Sequence, residues 1–202
     1  MYWKIATCLM IIVFMAWHKI EVSLKMNREQ KAEEAFWERE RKANSIRRKP
    51  IDALDYVKIP KDLPYDLCKD NIEIPEIINT IDRLREDKIL NLTGYTNTDL
   101  KLEYGTSNIT VLTKYDNNFT TLVTTMQKWA DILWDNGYEK EAVKLMEFLV
   151  DSKADIGKTY RLLAKYYVTS FQTEKYEELI QKAENLNSMN KPYIVDSIKE
   201  IH

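Results

Sequence analysis

The chain has 202 residues, 45% of them hydrophobic and four of them glycine, which is enough to bury a core and excludes a glycine-rich, turn-dense sheet protein. The formal charge of −2 is unevenly spread: nine basic and five acidic side chains lie between Lys25 and Lys49, Lys4, Lys19 and Glu21 add +1, and residues 51–202 therefore carry −7. An acidic body argues against nucleic acid as a partner; Cys8, inside the apolar N-terminal run, cannot pair with Cys68 if that run lies in a bilayer, so no disulfide framework is expected, and His18 and His202, at opposite ends, give no zinc spacing.

Ile5 to Trp17 is uncharged, and the stretch from Tyr2 to Ile20 contains only Lys4 and Lys19 as full charges, with Tyr2, Trp3 and Trp17 as flanking aromatics. At ~1.5 Å per residue the run just spans ~30 Å of hydrocarbon. Residues 1–20 are therefore expected to be a transmembrane anchor in contact with the lipid bilayer. A cleavable signal peptide needs a small-x-small site after the run, where Trp17, His18, Lys19 and Ile20 stand. Lys19, Lys25, Arg28 and Lys31 outnumber Lys4 plus the amino terminus. The positive-inside rule then predicts a single-pass protein of the cell membrane with its C-terminal domain in the cytoplasm.

Residues 21–49 hold no proline or glycine and mix charges densely, which predicts a charged helical stalk. Lys25, Arg28 and Lys31 share one side of it, either near anionic headgroups or simply solvated. Prolines at 50, 60, 64 and 75 then make residues 50–75 an extended strap. Its Leu54, Tyr56, Val57, Ile59, Leu63, Tyr65 and Leu67 are too apolar for a free spacer, so it is expected to lie against the body. Packing in cis and docking of a partner are both open readings.

Residues 76–202 read as all-α. Ile77, Ile78, Ile81 and Leu84 have helical spacing. Thr98 is the expected cap of a short helix stopped by Gly105, and Asp116 is expected to open a long helix after a loop from Asn108 to Lys114. The stretch "MQKWADILWDNGYEKEAVKLMEFLV" resembles a tetratricopeptide repeat, a 34-residue helix-turn-helix. Gly137 stands at the family's turn glycine and Ala142 at the small residue of its second helix. Met126, Trp129, Ala130 and Leu133 match first-helix positions, and Met146 and Leu149 match second-helix ones. A second unit follows, with Tyr160, Leu163, Ala164 and Tyr167 in its first helix and "EKYEELIQKAENLN" in its second. Leu179 is read there in the small-residue place, three residues late, and the turn glycine is missing. Pro192 is placed at the start of a final capping helix. The chain as a whole is similar to small membrane-anchored repeat proteins of Gram-positive bacteria.

No phosphate loop, metal motif or Ser/His/Asp set can be assembled, so no catalytic residue, metal or cofactor is assigned and the chain is not expected to be an enzyme. The resemblance implies a scaffold or adaptor that binds a protein or peptide, with the first helices of successive repeats lining a groove. The matching positions are Thr124, Gln127, Asp131 and Trp134, then Lys158, Arg161, Lys165 and Val168. The basic stripe Lys158, Arg161 and Lys165 suits an acidic or C-terminal carboxylate peptide. The alternative for that stripe is a solvated face. The alternative for the protein is a structural subunit of a membrane complex or a homo-oligomer.

Overall fold

The computed structural model describes residues 2–201, and side chains within that range except at 4–9, 11 and 12. The side chains of Lys4 and Cys8, and the whole of His202, lie outside what is described. All regular structure among the described residues is helical, so the all-α expectation is met. The contacts gather into two units, residues 1–49 with 97–107, and residues 50–96 with 108–202.

In the first unit α1 runs from Tyr2 to Ser45, unbroken because neither proline nor glycine occurs before Pro50. It is solvent-exposed along most of its described length, including Val13, Phe14, Met15, Trp17 and Ile20. Among the described residues no helix is long and apolar enough to cross a membrane. The unit's second helix, Asn97–Tyr104 and here called α3, docks near the end of α1. Glu40 accepts a hydrogen bond from the Thr98 hydroxyl and another from Lys101 at 2.9 Å, Arg39 pairs with Asp99 at 2.5 Å, and Ala43 is fully buried. Thr98 is thus not the cap expected from the sequence: the helix already begins at Asn97, and the hydroxyl is spent on Glu40. Gly105 does end α3, at φ +85°, where a Cβ would stand 2.4 Å from the Arg47 carbonyl oxygen.

The second unit holds α2 (Ile74–Arg85) and five helices after residue 108: α4 (Ile109–Asp135), α5 (Glu139–Asp151), α6 (Gly157–Thr169), α7 (Thr173–Glu184) and α8 (Lys191–Lys199). The strap before α2 packs Val57, Ile59, Leu63, Tyr65 and Leu67 against the buried core. Arg85 holds it, donating to the carbonyls of Ile59 (3.3 Å) and Pro60 (2.5 Å) and to the Tyr65 hydroxyl (2.8 Å). The Tyr65 ring lies 5.6 Å from that of the fully buried Trp129.

α4 begins at Ile109, well before the expected Asp116. Its first turns are rich in β-branched residues, which are weak helix formers, and the expected loop is a helix because its neighbours hold it. The Asp116 carboxylate accepts from the Leu92 amide at 3.0 Å, Lys114 pairs with Asp87 at 2.8 Å, and Asn118 donates to the Lys88 carbonyl at 3.0 Å.

From α4 onward the helices repeat with one period. The same interval separates the ends of α4 and α6 (Asp135 and Thr169), the starts of α5 and α7 (Glu139 and Thr173), and the starts of α6 and α8 (Gly157 and Lys191). That interval is the length of a tetratricopeptide repeat. The period corrects the register read from the sequence. The counterpart of Ala142 is Tyr176, not Leu179, and the second hairpin is not three residues longer. Tyr176 replaces a methyl by a buried ring whose hydroxyl donates to the Ile198 carbonyl at 3.1 Å. α8 falls at the place of a first helix, with Ile194 and Ile198 fully buried.

Candidate partner-binding surface

The six proposed groove residues all lie on α4 and α6, the first helices of successive hairpins, but the fold puts them to different uses. Gln127 and Asp131 are one turn apart on α4, and the Gln127 amide donates to the Asp131 carboxylate at 2.9 Å. From α6, the Thr159 hydroxyl donates to the Gln127 carbonyl oxygen, and Lys158 pairs with the other Asp131 oxygen at 2.7 Å. Gln127 and Thr159 are both buried. The four side chains form one network that ties α4 to α6: Gln127 is buried within it, while Asp131 and Lys158 are paired with each other at its solvent-facing end.

Trp134, one turn beyond Asp131, is half-buried against the core and meets the Tyr166 ring edge-on, 6.3 Å between centroids at 74°. This geometry is favourable for aromatic pairs. Arg161 and Lys165 are exposed, and neither makes an ion pair among the described residues. They stand one period after Gln127 and Asp131: the two positions that are neutral and acidic in one hairpin, and closed into the network, are cationic and open in the next. The basic stripe of three thus divides into one cation paired with Asp131 and two without an ion pair among the described residues.

The opposite side is electrostatically closed. Glu147 accepts from the Tyr167 hydroxyl (2.8 Å) and from Lys175 (2.7 Å), and Lys182 bridges Asp151 and Glu178 at 2.7 Å each. Burial, and then the Glu147 hydrogen bond, push the Tyr167 hydroxyl well above the ordinary tyrosine range, which keeps it a proton donor. Among the described residues no group of three or more His, Cys, Asp or Glu could hold a metal ion.

Thr159, buried beneath this surface, and Tyr166, half-buried at it, are not among the residues the sequence points to. The signal for them was the repeat period itself, which brings α6 alongside α4 and sets Thr159 beside Gln127 and Tyr166 beside Trp134. The comparisons with known proteins found no matching family model, no matching curated protein and no matching solved structure.

Proposed function

We propose that the chain is a membrane-anchored, non-enzymatic adaptor of tetratricopeptide-repeat-like hairpins that binds an acidic segment of a partner protein across α4 and α6. The observation that carries this reading is the pair Arg161 and Lys165. They sit one turn apart on an exposed face, free of ion pairs among the described residues, in a body whose residues 51–202 carry −7, beside the Trp134–Tyr166 aromatic edge. Two cations at that spacing suit carboxylates on successive turns or a terminal carboxylate, and the aromatic edge supplies contact area. The repeat period and the hairpin turns support the repeat-like reading. The uncharged run Ile5–Trp17, with Val13, Phe14, Met15 and Trp17 left uncovered on α1, supports attachment to a bilayer, and the cationic flank after it supports a cytoplasmic body.

The test is binding of an array of acidic, neutral and basic peptides by the full chain and by its Arg161→Glu/Lys165→Glu variant. Acidic peptides should be retained by the wild type and at least tenfold less by the variant. Equal retention by both, or none by the wild type, removes the assignment.

A further inference from the structure

A second basic feature lies elsewhere in the same unit. A cavity of about 410 Å³, open on one side, lies between the strap and the end of α2, lined on its apolar side by residues that include Val57, Leu84 and Ile89. That volume is in the range of small-molecule sites. Its frame is fixed at two points: the Val57 amide donates to the Ile89 carbonyl at 2.9 Å, and Arg85 grips the carbonyls of Ile59 and Pro60.

Four cations line it, Lys58, Lys61, Arg85 and Lys88, with one lining carboxylate, Asp87; Arg85 also pairs with Asp82 at 3.7 Å. Asp87 is already engaged by Lys114. Lys88 is held over the Tyr56 ring, 4.8 Å from its centroid, and pairs with Asp52 at 3.4 Å. Lys58 and Lys61 are exposed and make no ion pair among the described residues. An acidic body thus carries a local excess of positive charge around an apolar hollow.

We infer that this cavity is a binding site for a small organic anion, a carboxylate or phosphate carried on a compact apolar body. The apolar part enters between the strap and α2, and Lys58 and Lys61 close on the charge. The site is separate from the α4–α6 surface and does not depend on its assignment.

The experiment is equilibrium dialysis of 2-naphthoate against the full chain, with 2-naphthol (the same body without charge) and acetate (charge without the body) as controls. Saturable binding of naphthoate at least tenfold tighter than of either control is expected. Lys58→Glu/Lys61→Glu should weaken it at least tenfold, and Arg161→Glu/Lys165→Glu should leave it unchanged. No saturable binding, naphthol bound as well as naphthoate, or undiminished affinity in the Lys58/Lys61 variant would each overturn the inference. Loss of affinity in the Arg161/Lys165 variant would do the same, because it would place the anion on the other surface. The exposed lysines are not part of the core, and Lys58→Gln/Lys61→Gln, expected to lie between wild type and reversal, separates a charge effect from damage to the strap.

Discussion

Gly137 and Phe171 occupy the same place in successive hairpins, one period apart, and both are left-handed, at φ +82° and +57°. The amide of each reaches back to the first helix of its hairpin, to Trp134 (3.1 Å) and Val168 (3.2 Å), and the next amide reaches further back, to Leu133 and Tyr167. A glycine takes that conformation without cost, whereas an L side chain gives up ~1–2 kcal/mol to it. Phe171 recovers nothing by packing, since it is 92% exposed. Phe171→Gly should therefore stabilise the protein in urea unfolding, by about 0.5–1 kcal/mol after the added flexibility of glycine in the unfolded chain is subtracted. Gly137→Ala should destabilise it by about 1 kcal/mol. A loss of stability in the first variant would mean that Phe171 is held by contacts other than those described.

The Gln127–Thr159 pair gives a test of the network between α4 and α6. Thr159→Val removes the donor and leaves a buried carbonyl oxygen without its partner, at a cost of about 1–3 kcal/mol. Adding Gln127→Leu removes that orphaned group, and the double variant should regain most of the loss. A double-mutant cycle by chemical denaturation reads the coupling. Simple additivity would show that the two side chains do not act together.

Arg85 fixes the strap through backbone carbonyls, so the cut sites on the strap report its grip. Arg85→Ala should cost about 1.5–3 kcal/mol, as expected for hydrogen bonds from a charged donor, and should speed tryptic cleavage after Lys58 and Lys61. Arg85→Lys, which cannot bridge two carbonyls and a phenol in one plane, should lie near alanine. Unchanged cleavage in both would show that the apolar side chains alone hold the strap.

Glu40 is expected to contribute to the pH response of the first unit. The hydrogen bond from Lys101, then that from Thr98, hold its carboxyl below the ordinary value. A carboxylate depressed in the folded state contributes stability above its unfolded pKa and loses it as the pH falls through the folded value. Amide exchange in α3, corrected for intrinsic rates, should be steady above about pH 5 and accelerate toward about pH 3. Glu40→Gln should flatten that dependence and lower the plateau. The same pH curve in both proteins would assign the loosening to another group.

The sequence was most legible where one helix face is apolar and a turn carries a glycine: α2 with Ile77, Ile81 and Leu84, and the α4–α5 hairpin around Gly137. It was least legible where tertiary contact overrides local preference. The first turns of α4 read as a loop because threonine, valine and asparagine are poor helix formers, yet Leu112 there is fully buried and residues 114–118 just beyond are held by partners from 87–92. The register of the second hairpin is hidden in the sequence because Phe171 replaces the turn glycine and Tyr176 the small residue, so the two strongest markers are both absent. At the candidate surface the resemblance to the repeat family supplies the expected face. A resemblance does not show which of its charges are paired, because Asp131 and Lys158 belong to different helices and meet only through the packing of α4 beside α6.

The α1–α3 docking has a consequence for how the chain is made. Glu40 and Ala43 leave the ribosome well before Thr98, Asp99 and Lys101, and from Pro50 to Thr96 everything between them belongs to the other unit. At ~5–20 residues per second the end of α1 waits roughly 3–12 s for its partner, while the strap and α2 emerge in the interval. The first unit is therefore completed only after the strap and α2 of the second have already been made. A cut at Lys49–Pro50, which looks like a clean border on paper, would leave α3 attached to the wrong piece.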